Sequence, residues 1–90
     1  MIFEYKASPT FWKAFHRLPD AQRARAREVF RVFRANPFDP SLKVHKIAKL
    51  SARYGRTILA AEIEGDLRIA FFRAGSIIYS VDIGSHDIYK

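Results

Sequence analysis

Residues 67–90 read LRIAFFRAGSIIYSVDIGSHDIYK, and the pairing of their two β-patterned runs decides the fold. Leu67, Ile69 and Phe71 alternate with Arg68, Ala70 and Phe72; Ile77, Tyr79, Val81 and Ile83 alternate with Ile78, Ser80 and Asp82. A period of two marks strands with one buried and one less buried face. A turn around Gly75 joins them. A two-residue loop at Ala74–Gly75 would set Phe71 opposite Ile78 and Ile69 opposite Ser80, mixing the apolar face with the polar one. A three-residue loop, Ala74–Gly75–Ser76, sets Leu67, Ile69 and Phe71 opposite Ile83, Val81 and Tyr79 and gathers the apolar set on one side. That register predicts Arg68 opposite Asp82 on the other face. Ala70 opposite Ser80 would then leave open space around the guanidinium.

Working outward, residues 56–64 form another alternating run, with Leu59, Ala61 and Ile63 on one side, and Glu64-Gly65-Asp66 is a turn signal. Residues 38–51 are a basic connector with two prolines near its start, irregular or holding a short turn of helix. Before it lie two helical patterns. Ser8-Pro9 is a helix start, because Ser caps orphan N–H groups and Pro fits the first turn. Phe11, Phe15 and Leu18 then share one side, with Trp12 beside them. Pro19-Asp20 breaks this helix and opens a second, whose stripe is Ala26, Val29, Phe30 and Phe33. Asn36-Pro37 ends it, since the residue before Pro is pushed out of the helical region. Aromatics at this spacing are core rather than a base-stacking platform. Residues 2–6 read as a first strand. The expected fold class is α+β: strand, helix, helix, then a three-stranded meander, in one domain over residues 1–90. The helical hairpin covers one face of a small, twisted, mostly antiparallel sheet, and the face with Arg68 stays partly open.

Ninety residues allow one modest core. A hydrophobic content of 49% places the chain among folded proteins. There are no cysteines, which removes disulfides and thiolate metal sites and suits a reducing cytoplasm. The N-terminus MIFEYKASP has no apolar core of a signal peptide, and no apolar run is long enough for a membrane span, so no membrane partner is expected. The net charge of +7 is unevenly placed. From Ser41 to Ala61 there is no carboxylate, yet Lys43, Lys46, Lys49, Arg53 and Arg56 lie there. Arg23, Arg27, Arg31 and Arg34 recur at helical spacing. Such footprints attract polyanions by counterion release, although a solvated basic surface is the plainer reading.

Three side-chain types in the quoted stretch can act on a phosphodiester. The planar fork of Arg68 can grip two phosphate oxygens. A histidine side chain ordinarily titrates near neutrality, so His86 can move a proton. Tyr89 can stack on a base or donate from its hydroxyl. The plain readings are an Arg68–Asp82 ion pair, an exposed tail histidine and a terminal aromatic tucked against the core. Arg73 and Lys90 could touch an RNA backbone, and Asp66, Asp82 and Asp87 are expected in turn or surface roles. His16 is assigned none.

At this point the residues resemble a known group. FWKAFHRLPDAQRARAREVFRVFRANPFDPSLKVHKI (11–47) resembles the Phe-x-x-x-x-x-x-Leu-Pro hairpin, Asn-Pro and Leu-Lys stretch of the RelE/ParE superfamily of toxins from type II toxin–antitoxin pairs. DLRIAFF (66–72) resembles its Tyr-Arg-Ile strand, with Leu67 where Tyr is common, and IGSHDIYK (83–90) resembles its closing Gly-x-(Arg or His)…Tyr. The resemblance covers nearly the whole chain. It implies one of two activities: mRNA cleavage in the ribosomal decoding site, or poisoning of DNA gyrase without nuclease residues. For cleavage it implies an active-site role for Arg68, His86 and Tyr89, with His45 as a further acid–base candidate. Metal-free cleavage by the ribose 2′-hydroxyl is the expected route, and no cofactor is called for. RNA contacts are expected from Lys43, Lys46, Lys49, Arg53, Arg56, Arg73 and Lys90. The implied partners are a cognate antitoxin, the ribosome and mRNA. One departure stands out: some RelE-like nucleases carry lysines on the strand before the Arg, where this chain has TILAAEIEG (57–65). A basic binding module active on neither target is the third reading.

Overall fold

The computed structural model describes residues 2–85. His86, Tyr89 and Lys90 lie outside the described residues. Strand β1 (Glu4–Ala7) leads into helices α1 (Pro9–Arg17) and α2 (Asp20–Ala35). A single 3-10 turn (Pro40–Leu42), strand β2 (His45–Lys46) and helix α3 (Ala48–Tyr54) follow. Strands β3 (Leu59–Glu64), β4 (Leu67–Ala74) and β5 (Ile77–Gly84) close the order. The sheet runs β1-β5-β4-β3-β2; β1 is parallel to β5 and the other neighbours are antiparallel. The fold class is therefore the α+β arrangement that the sequence predicts. The first strand is shifted to residues 4–7 and the third begins at 59 rather than 56.

The helical hairpin forms as its caps dictate. The Ser8 hydroxyl accepts from the Phe11 N–H at 3.0 Å and donates to the Val81 carbonyl at 2.9 Å, so one side chain both starts α1 and ties it to β5. Phe11, Phe15, Ala26, Val29 and Phe33 are buried against Ala61, Ile63, Leu67, Ile69, Phe71, Ile78 and Ile83 of the sheet. At the far end of α2 the last carbonyls lack helical partners. The Tyr5 hydroxyl donates to the carbonyls of Phe33 (2.9 Å) and Arg34 (2.8 Å), closing that end from β1. Tyr5→Phe removes this cap and is expected to cost about 1 kcal/mol, read as a lower urea midpoint with unchanged slope.

The β4–β5 register differs from the expected one. The loop is the two residues Gly75–Ser76, with Ala74 opposite Ile77, Phe72 opposite Tyr79 and Phe71 opposite Ser80. A β-bulge then shifts the pairing, so Ala70 faces Asp82, Ile69 faces Ile83 and Arg68 faces Gly84. The predicted pairs Arg68–Asp82 and Ala70–Ser80 are thus corrected. Gly75 takes a φ of +60°, which makes the tight loop possible. The bulge at Val81 inserts one residue and breaks the two-residue alternation. Ile78 and Ile83, five apart in sequence, can both face the helical hairpin, while Tyr79 and Val81 face the other way.

That other face is partly covered and so stays only partly open, as the sequence predicts. Ile47 and Leu50, at the start of and within α3, pack on Ile58, Ala60, Ala70 and Val81. Ala70, expected with Ser80 to leave space around Arg68, instead admits α3 together with Ala60. The helix is short, and ends at Gly55 in the left-handed region (φ +68°). The Ser51 hydroxyl fastens it to β3, accepting from the Ile58 N–H at 2.8 Å.

Candidate functional site

Strand alternation puts Arg68, Ala70 and Phe72 on the α3 side of the sheet, and register fixes what stands beside each. Across β3 and β5, Arg68 is flanked by Glu62 and Gly84. Its side chain is only 17% exposed. Arg68 Nη2 lies 3.9 Å from Glu62 Oε1, and Nη1 donates to the carbonyls of Gly65 and Leu67. Its Nε is buried and has no acceptor among the described residues. A buried N–H without an acceptor is rare, because the lost water bond is not replaced. The guanidinium is held in place by backbone carbonyls through Nη1, with Nη2 toward Glu62.

Glu62 is the neighbour that the sequence reading passed over. The signal was present: Glu62 and Arg68 flank the Glu64-Gly65-Asp66 turn, and hairpin pairing across it brings them together once the bulge near Ile63 is allowed for. Asp82 stands on the next row, opposite Ala70. Burial pushes its carboxyl above the ordinary 3.8, partly offset by the Ile83 N–H bound to Oδ1 at 2.8 Å. With a raised native value, the native state holds its proton where the unfolded chain has released it. This contribution to stability falls as pH rises from about 3.8 through the native value and stays low above it. Asp82→Asn keeps the acceptor for Ile83. It is expected to raise the melting temperature at neutral pH and to flatten that part of the pH profile in thermal melts.

His45 is on the same face but not in contact with Arg68. It pairs with Ala60 on β3, so two strand spacings, roughly 10 Å, separate its strand from β4. Its Nδ1 lies 3.0 Å from the Lys43 carbonyl. The basic connector becomes β2 and α3: Lys43, Lys46, Lys49, Arg53 and Arg56 are all exposed, with Lys49 and Arg53 on α3 and Arg56 over Phe72, whereas alternation with His45 puts Lys46, the register partner of Leu59, on the hairpin side of the sheet. Arg73 is not with them. Alternation puts it on the opposite face, where its guanidinium stands 5.0 Å over the Phe3 ring and Nε donates to the Gly75 carbonyl. The Arg23–Arg34 stripe is also on that side, with α2, where Arg27 lies over Phe15 and Arg23 binds Asp20 and the His16 carbonyl. A cavity of about 250 Å³ opens there between β1 and the hairpin, lined by Tyr5, Phe11, Phe33 and the 43%-exposed Trp12. Gly84, the register partner of Arg68, precedes His86 by two residues, but the predicted roles of His86, Tyr89 and Lys90 fall outside the described residues.

Solved structures share this arrangement. The RelE–RelB complex from Pyrococcus horikoshii OT3 contains a chain that superposes with a TM-score of 0.69 at 18% identity, over 94% of this chain and 96% of that one. YafQ from E. coli strain BL21(DE3) gives 0.70 at 14% identity, over 96% of each chain. The fold is that of the RelE/ParE toxins. The YoeB/ParE toxin from Agrobacterium tumefaciens extends the likeness at 0.66 and 11% identity, over 93% of this chain and 99% of that one. No protein-family model and no curated protein matches the sequence. Among the described residues no helix is long and apolar enough to cross a membrane, and no cluster of three metal-ligating side chains is found.

Proposed function

We propose that this RelE-like chain is the toxin of a toxin–antitoxin pair and cuts mRNA bound to the ribosome. One observation carries the reading: the Arg68 guanidinium, 17% exposed and fixed by the Gly65 and Leu67 carbonyls, keeps only a long 3.9 Å contact from Nη2 to Glu62. A phosphodiester oxygen takes the place of Glu62 on that edge of the fork. The fork then stabilises charge as it develops on the phosphorus oxygens. Glu62 holds the guanidinium in the absence of RNA.

In the reaction, the ribose 2′-oxygen attacks the adjacent phosphorus and loses its proton to a base. The new P–O2′ bond forms as the P–O5′ bond breaks. An acid protonates the leaving 5′-oxygen. The products are a 2′,3′-cyclic phosphate, or its hydrolysed form, and a 5′-hydroxyl. His86 is assigned a proton transfer and Tyr89 the orientation or stacking of a base. His45, two strands away, is given a secondary acid–base role at most. Lys43, Lys46, Lys49, Arg53 and Arg56 grip ribosomal RNA, together with Lys90, which lies outside the described residues. Arg73, on the opposite face, is released from this set.

The RelE–RelB complex supports a protein antitoxin as the partner. The exposed Trp12 and the cavity beside it, which Arg34 also lines, are surface that such a partner would cover. A cytoplasmic setting follows from this target. The YoeB/ParE neighbour favours a second reading, a gyrase-directed toxin without nuclease activity. Mapping mRNA 5′-ends after brief induction separates them. Cuts in register with reading frames are expected; intact messages with DNA-damage signalling would select the second reading.

A further inference from the structure

A row of side chains crosses the sheet on the α3 side, at the end away from Arg68. The Arg56 guanidinium carbon lies 4.0 Å from the centroid of the Phe72 ring. Phe72 stacks on Tyr79, with ring centroids 5.2 Å apart and planes within 13°. Tyr79 has Lys6 as its register partner on β1. The order from the connection before β3 across β4, β5 and β1 is thus cation, aromatic, aromatic, cation. Both rings are only half-buried, and Arg56 and Lys6 are exposed. In the hydrophobic core, edge-to-face contacts dominate, as between Phe33 and Phe71 at 81°. The near-parallel pair at the surface offers a flat face instead.

We propose that Tyr79, backed by Phe72 and Arg56, is a base-stacking position for a single-stranded RNA, with Lys6 holding the neighbouring phosphate. The proposal rests on the reading of RNA as substrate and adds to it a recognition point remote from the chemistry. Two features favour RNA over an acidic protein segment. Parallel aromatic faces topped by a guanidinium match the stacking that holds unpaired bases. Arg56 also belongs to the acid-free stretch that carries Lys49 and Arg53 on α3. Phe72 is four residues from Arg68 along β4, about 13 Å at the strand rise, a gap that a few nucleotides passing beside α3 can span.

The test uses the whole chain and a short oligonucleotide with 2′-deoxy sugars, which cannot be cut by 2′-hydroxyl attack. A second strand has the same length and phosphates but abasic positions. The wild-type protein is expected to bind the base-bearing strand about tenfold more tightly. Tyr79→Leu should remove that difference, Tyr79→Phe should retain it, and Lys6→Gln should weaken both strands alike. Equal wild-type affinity for the two strands overturns the proposal whether or not any variant folds. So does an unchanged preference in Tyr79→Leu, or protection of the Tyr79 ring by an acidic peptide but not by the strand. The nuclease reading fails separately: base-dependent binding with no cutting of ribosome-bound message leaves the stacking site standing. Cutting with base-independent binding removes the stacking site alone.

Discussion

Arg68→Gln is expected to abolish message cutting while leaving the protein folded. The guanidinium is the one described cation that is both half-buried and short of an acceptor on a buried nitrogen. Removing one group that stabilises developing charge typically lowers the rate about a hundred- to a thousandfold. The stability cost should stay within about 1 kcal/mol. The Glu62 pair is long, at 3.9 Å, and partly exposed, and the variant also removes an unsatisfied buried N–H. Arg68→Lys keeps the charge but not the fork, and its activity should fall nearly as far. Growth after induction, 5′-end mapping and a melting curve read the three quantities. Full cutting in Arg68→Gln would remove this residue from the reaction.

Phe71→Ala, three positions along the same strand, should do the opposite kind of damage. Phe71 is 0% exposed and packs edge-on against Phe33 at 5.0 Å and beside Phe38 at 6.2 Å. Truncating a fully buried Phe typically costs about 3–5 kcal/mol through lost transfer energy and the cavity left behind. Against a net stability of roughly 5–15 kcal/mol, that removes a large share and in this small chain lowers the folded population. Phe72→Ala, on the half-buried α3 face, should cost clearly less. Urea denaturation of both variants checks the alternation directly: a larger loss at Phe72 than at Phe71 would contradict the assigned faces. Toxicity lost with stability in Phe71→Ala, but without it in Arg68→Gln, separates scaffold from site.

The helical hairpin was legible because its signals are local. Ser8-Pro9, Pro19-Asp20 and Asn36-Pro37 each act within one turn of the residues they cap or break, and the structure uses all three. The faces of β3 and β4 were legible for the same reason, since alternation needs no knowledge of the partner strand. The β5 register was not. Period-two reasoning assumes an unbroken ladder, and a bulge at Val81 violates it without any glycine there to announce it. Helix α3 was legible only as the short turn of helix allowed for within residues 38–51, because seven residues with one buried leucine carry too little periodicity to stand out from a loop. Its extent and docking follow from tertiary context, the two small alanines at 60 and 70 that let it approach the sheet.

The candidate site divides in the same way. Arg68 could be singled out because an arginine on an otherwise apolar strand has no packing reason to be there. Its partner Glu62 carries a weaker signal, its place across the Glu64-Gly65-Asp66 turn, because the pairing also depends on a second irregularity in the β3–β4 ladder. Arg73 was placed with the RNA contacts on charge alone, and strand parity sends it to the other face.

Ribosomes programmed with a defined message, incubated with the wild-type chain and with Arg68→Gln, give the most direct measurement. The account predicts a downstream fragment with a 5′-hydroxyl end in the wild-type reaction and an intact message with the variant. Fragments of the same kind from both proteins, or an intact message in the presence of a wild-type chain that still arrests growth, would contradict it.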